Sequence, residues 1–191
     1  LPHARRYLPR FMLQVILPLV IKINAWILSW HIKRAIKALQ IENPILWLYG
    51  PYQTGLIGKF GEKLTCYFNY DEFANFVANW RIKDLIQQYE AEICSQVDVV
   101  FATSRAQCQV RSAYNPHTYW IPNAVDFELF HRALLPGLAI PDDIARIPHP
   151  IVGYSGRLAS QIDVELLLRV AKAYPECSMV LVGPDELPST Q

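Results

Sequence analysis

From residue 43 onward, short apolar runs alternate with longer stretches of helical spacing. Pro44–Tyr49 (PILWLY) predicts a buried strand ending at Gly50-Pro51, and Leu64–Phe68 predicts a second. Phe73–Cys94 predicts a helix, with Phe76, Val77, Trp80, Ile82, Leu85, Ile86, Tyr89 and Ile93 as its apolar positions. Val97–Thr103 is a third strand, with Ser104 as N-cap of a helix from Arg105. His117–Ile121 is a fourth, closed by Pro122-Asn123. Near-continuous apolar strands separated by helices predict a parallel sheet covered on both faces, and so the α/β class. Pro136, Gly137, Pro141 and Pro148 interrupt residues 131–149. The strand–helix pattern then restarts, with a strand at Ile151–Ser155, a helix at Val164–Ala173 and a strand at Met179–Val182. This predicts a first domain over 1–130, a Pro-rich linker over 131–149, and the start of a second α/β domain over 150–191.

The front of the chain differs. Leu19–Leu39 has helical spacing. At about 100° per residue, Lys22, Lys33 and Lys37 fall within about 60° of one another. Val20, Ile23, Ile27, Leu28, Ala35 and Leu39 occupy the arc opposite. Two readings stay open. The helix buries its apolar face in a core and solvates its basic side, or it docks on an anionic lipid surface, which Trp26, Trp30 and the lack of acids favour. A spanning helix needs about 20 mostly apolar residues. The uninterrupted part of this run is only Phe11–Ile21, and no small-residue cleavage site follows to mark a secretory signal.

Composition narrows the class. The chain has 191 residues, 52% of them apolar and 18% charged, enough for about one and a half domains. That excludes disorder, collagen and a disulfide miniprotein. The net charge of +1 conceals an asymmetry: all 17 acids lie beyond residue 40, and the first 40 residues hold seven basic residues. The acidic remainder, without an aromatic-rich RNA-binding strand, argues against a nucleic-acid partner. Cys66, Cys94, Cys108 and Cys177 form no C-x-x-C pair, and no two histidines stand at i,i+4. Reduced thiols of a cytoplasmic protein and no metal site are expected.

In open parallel sheets, ligands sit beyond the carboxyl ends of the strands. The candidate positions are therefore Gly50/Pro51, Asp71/Glu72, Ser104, Asn123/Asp126, Gly156/Arg157 and Gly183/Pro184. At Ser155-Gly156-Arg157, a glycine lets backbone N–H groups approach a phosphate and the arginine can bind its oxygens through two N–H groups. Asp71 is either a base or acceptor ligand facing a cleft, or a helix N-cap. Ser104 reads as a cap, since no G-x-S-x-G elbow surrounds it. Neither G-x-G-x-x-G nor G-x-x-x-x-G-K-[ST] occurs, which argues against a Rossmann dehydrogenase and a P-loop NTPase.

Taken in order, these strand ends resemble a known family. Ile121 to Phe130 (IPNAVDFELF) is similar to the I-P-N-G-V-D-x-x-x-F signature of bacterial group 1 glycosyltransferases with the GT-B fold. Asp98 to Ser104 is similar to their A-D-x-V-x-x-x-S strand. Pro150 to Leu158 resembles the strand that opens their donor domain, and Val180 to Pro184 the next one. Trp47 to Pro51 and Tyr67 to Glu72 resemble a subgroup that builds capsular, teichuronic or exopolysaccharide chains. The resemblance covers roughly residues 40–187.

It implies two Rossmann-like parallel-sheet domains facing a cleft, the second truncated here. Gly156 and Arg157 would lie at the diphosphate of a nucleotide sugar, Gly183 and Pro184 at its nucleotide, and Asn123 and Asp126 at the interdomain crossover. A lipid-linked or polysaccharide acceptor would meet the first domain, with no metal or other cofactor, at the inner face of the plasma membrane. Lys22, Lys33 and Lys37 would face the membrane or acceptor. The family's opening strand would precede Leu1 and its E-x7-E motif would follow Gln191, so an internal fragment, inactive alone, is expected. Two departures stand out: Ala124 replaces the signature glycine, and residues 159–163 (ASQID) lack the lysine many relatives carry. They motivate an alternative, a catalytically degenerate GT-B-like domain that binds membrane or partner. A nucleotide-sugar epimerase of the same fold is a further one.

Overall fold

A computed structural model describes residues 10–77, 79–159 and 162–186. The chain divides into two compact units, Leu1–Ala124 and Val125–Gln191. The division falls six residues before the expected end of the first domain at 130.

In the first unit, helix α1 (Arg10–Ala38) is followed by β1 (Ile45–Leu48), a 3-10 turn at Pro51–Leu56 and β2 (Leu64–Asn69). A short 3-10 turn (Phe73–Phe76), α2 (Trp80–Gln96), β3 (Val99–Ala102), α3 (Arg105–Arg111) and β4 (Thr118–Trp120) complete it. The strands form one parallel sheet in the order β1-β2-β3-β4. Its register pairs Leu48 with Tyr67, Tyr67 with Val100 and Val100 with Thr118. The core is Leu48, Leu56, Tyr67, Ile93, Cys94, Val97 and Val100, joined by Ala25 of α1. Asp98 pins the base of β2 to β3 by accepting from the backbone N and Oγ1 of Thr65, both at 2.7 Å. The hydroxyl and backbone of Thr65 hold the Asp98 carboxyl below the usual range. Asn115 seals the end of α2 by donating to the carbonyls of Cys94 and Val97.

Three expectations need correction. The sheet is covered on one face only among the described residues. On its other face Trp47 stacks on Phe101 at 5.3 Å, and Ile45, Trp47, Tyr49 and Tyr119 are exposed. The helix predicted over Phe73–Cys94 is two elements. Val77 takes an extended conformation and ends the 3-10 turn, as a β-branched residue with restricted χ1 readily does.

The third concerns α1, which starts at Arg10 and runs on through Pro18. The arc carrying Val20, Ile23, Ile27, Leu28 and Leu39 is exposed rather than core-facing. The helix instead meets the Pro51–Leu56 turn at Ala25, which is buried, as is Ser29; Pro18, Ile21, Ile32 and Ile36 on the same side are half-buried. Small side chains decide this. A methyl added to Gly55 would come within 2.9 Å of the Ala25 methyl, so this side of α1 approaches more closely than any bulky side could. Ser29 adds no demand, because its hydroxyl bonds back to the Ala25 carbonyl at 2.6 Å.

In the second unit, α4 (Phe127–His131), a 3-10 turn (Arg132–Leu134) and α5 (Asp142–Ala145) come first, covering 131–134 and 142–145 of the segment expected to be a linker. Then come β5 (Ile151–Ser155), α6 (Val164–Ala173) and β6 (Ser178–Val182). Asp126 caps α4 and Asp163 caps α6, each carboxylate accepting from the backbone N three residues on. Strands β5 and β6 pair in parallel, from Ile151 opposite Ser178 to Ser155 opposite Val182.

Candidate functional site

The carboxyl ends of β2 and β3 open on a cleft of about 430 Å³, whose lining includes Tyr70, Asp71, Glu72, Thr103, Ser104 and Gln107. The sequence candidates Asp71 and Ser104 thus meet in one place. Ser104 caps α3, its hydroxyl accepting from the Gln107 N at 3.1 Å, and the Thr103 hydroxyl ties the two strand ends together by donating to the Tyr70 carbonyl. Asp71 caps no helix. Its Oδ1 accepts from the adjacent Glu72 N at 2.9 Å, and its carbonyl accepts from Asn69 Nδ2. The neighbouring side chain of Glu72 pairs with Arg111.

Arg111, on the last turn of α3, is the hinge of the site. Its Nη2 donates to Glu72 Oε1 at 3.1 Å and to Glu90 Oε2 at 2.7 Å, and its Nε donates to Asn69 Oδ1 at 3.3 Å. Arg111 and Glu90 are buried, and Glu72 is about one-third exposed toward the cleft, at 35%. One cation therefore answers two carboxylates. Burial pushes the Glu90 carboxyl up to about 7; Arg111 pulls it down and Glu72 adds to the rise. Burial works against the charge on Arg111 as well, but Glu90 and Glu72 outweigh it and hold the guanidinium above its ordinary value. Glu90 Oε1 has no hydrogen-bond partner in this packing. Tyr67 and Cys94 border the cluster, and burial raises both, the thiol to about 12. Such an arrangement fixes a cleft-facing carboxylate, Glu72, in one orientation and keeps a proton-accepting group of near-neutral affinity beneath it.

The sequence reading missed Glu90 and Arg111. A signal existed for Glu90: it stands four residues after Ile86 and three before Ile93, an acid on the buried stripe of α2. Arg111 carried none, since its partners lie 21 to 42 residues away.

In the second unit, Gly156, Arg157, Gly183 and Pro184 come together at the carboxyl ends of β5 and β6. The Gly156 N donates to the Val182 carbonyl, and the Leu158 N donates to the Pro184 carbonyl, both at 2.9 Å. A methyl on Gly183 would stand 1.8 Å from the Gly156 carbonyl oxygen, so only glycine fits there. The Arg157 guanidinium pairs with Glu186 on the surface. Asn123 closes the first unit, and Asp126 opens the second as the cap of α4. Ala124 has no positive φ: among the described non-glycine residues only Gln40 and Asn43 do. The turn therefore does not need the glycine it lacks. Within residues 159–163, where the resemblance leads one to expect a lysine, Ser160 and Gln161 lie outside the described residues.

Lys22, Lys33 and Lys37 are all exposed on α1. Lys33 and Lys37 share a pocket of about 480 Å³ with Lys59, and Lys22 stands apart from it. Among the described residues no group of three or more His, Cys, Asp or Glu is arranged to hold a metal, and no helix is long and apolar enough to cross a membrane. No protein-family model matches this chain, and no curated protein matches it.

Proposed function

We propose that the chain is part of a glycosyltransferase that moves a sugar from a nucleotide diphosphate to a lipid-linked or polysaccharide acceptor, with the two-domain GT-B architecture that the ordered motifs resemble. The observation that carries this reading is the convergence of Gly156, Arg157, Gly183 and Pro184 at the carboxyl ends of two parallel strands. There the Arg157 guanidinium would meet a departing diphosphate without a metal. In the first unit the cleft with Asp71, Glu72 and Ser104 takes the acceptor. Asp71 and Glu72, each with one carboxylate oxygen already engaged, are the groups there that can accept a hydrogen bond from a sugar hydroxyl, and Glu72 is the one aligned by Arg111. The protein works in the cytoplasm, peripherally at the inner face of the plasma membrane.

One observation favours the non-enzymatic alternative: Arg157 Nη2 is already engaged by Glu186. Titration calorimetry of uridine and guanosine diphosphates against the protein and its R157A variant separates the two. Saturable binding of one nucleotide that weakens about tenfold or more in R157A supports a donor site. Absence of saturable binding for both leaves a domain that binds something other than a nucleotide sugar.

A further inference from the structure

Helix α1 turns its smallest side chains to the body of its unit and its largest to solvent. Trp26 and Trp30 are 69% and 53% exposed, beside Leu19, Ile23 and Ile27. These five lie roughly opposite the docking stripe centred on Ala25 and Ser29. Globular helices do the reverse, and an exposed apolar patch of this kind marks an interaction surface.

The chemistry around the patch selects the partner. No acid occurs before Glu42, whereas Lys22, Lys33, Arg34 and Lys37 flank the apolar face. Arg34 lies 5.8 Å from the Trp30 ring centroid. Toward the C-terminal end of the patch, the pocket of about 480 Å³ brings Lys59, from the loop before β2, to Lys33 and Lys37 against the single carboxylate of Glu42, with Ile36 and Phe60 in its wall. No ion pair among the described residues engages the three lysines. Indoles at the edge of an apolar strip and unpaired ammonium groups beside it match the headgroup layer of an anionic bilayer, apolar side down and cations at the phosphates.

We propose that α1 lies in the plane of an anionic membrane, with Leu19, Ile23, Trp26, Ile27 and Trp30 in the acyl boundary, and that the Lys33–Lys37–Lys59 pocket holds the phosphate of a membrane lipid. This surface is independent of the sugar-transfer reading, since vesicle binding requires no nucleotide and loss of nucleotide binding leaves it intact.

Cosedimentation of the protein with phosphatidylcholine vesicles, with and without phosphatidylglycerol, tests it, together with tryptophan emission. Binding to the anionic vesicles only, with a blue shift, is expected. K33Q/K37Q/K59Q lowers that binding about a hundredfold, at roughly fivefold per lysine. I23S/I27S weakens it as well and reduces the shift. Circular dichroism of both variants stays native, because every altered side chain is exposed. Inorganic phosphate at the lipid phosphate concentration does not displace the vesicles; displacement assigns the pocket to a soluble anion and overturns the proposal. Equal binding to neutral vesicles, unchanged binding of the lysine variant, or self-association of the protein in place of vesicle binding also overturns it.

Discussion

Arg111 and Arg157 both pair with glutamates, yet they stand in opposite surroundings. Arg111 is 6% exposed and faces Glu90, which is fully buried, and Glu72; Arg157 is 64% exposed and its partner Glu186 is 50% exposed. Removing a buried partner strands a charge in a low dielectric, whereas many exposed pairs contribute nothing measurable. The buried arginine is therefore committed to holding the fold and orienting Glu72. The exposed one can exchange its carboxylate for a phosphate at little cost. Burial separates the arginine that positions Glu72 from the one proposed to bind a donor, although the contacts look alike.

The largest effect that can break this contrast is R111A. It leaves Glu90 buried without its cation and is expected to cost about 3–5 kcal/mol, read as a fall in the urea midpoint. R111K restores little, since an ammonium does not reproduce the contacts to Glu72, Glu90 and Asn69. Next comes pH. The Glu90 carboxyl rises from 4.5 to about 7 on folding, so the folded state holds this proton more tightly than the unfolded one. Its contribution is fully present below the unfolded value and is lost as pH rises through about 7, a decline on the order of 3 kcal/mol between those limits. E90Q flattens that part of the stability–pH curve, measured by urea unfolding at a series of pH values. E72Q, at a group about one-third exposed, costs about 1 kcal/mol or less and makes the slope from Glu90 shallower, since the Glu72 charge adds to that rise. R157A is the smallest: its unfolding midpoint is expected to match that of the parent protein.

The local parts of this structure were legible. Strands β1 to β6 follow apolar runs bounded by Gly, Pro, Asn or Asp, and Ser104 caps α3 because both partners lie within one turn. What stayed hidden depends on distant partners. The Arg111 cluster joins residues from β2, the turn after it, α2 and α3, and periodicity says nothing of such a meeting. The wheel of α1 located the apolar arc, but not which side packs. That was decided by the fit of Ala25 to Gly55, a contact between small groups that hydrophobicity ranks last. The aromatic residues on one side of the sheet, Trp47, Phe101 and Tyr119, read as core, and among the described residues Trp47 and Tyr119 of that face are exposed. In the second unit, Gly183 is explained by the close approach of the Gly156 carbonyl alone, so its glycine counts less toward a nucleotide site than Arg157 does.

The sugar-transfer account rests on Arg157 being available to a diphosphate, and the most direct test compares uridine diphosphate affinity in the parent protein, R157A and E186A. The account predicts saturable binding that weakens in R157A and strengthens in E186A, where the guanidinium is released. Binding that is absent in all three, or identical in all three, contradicts it.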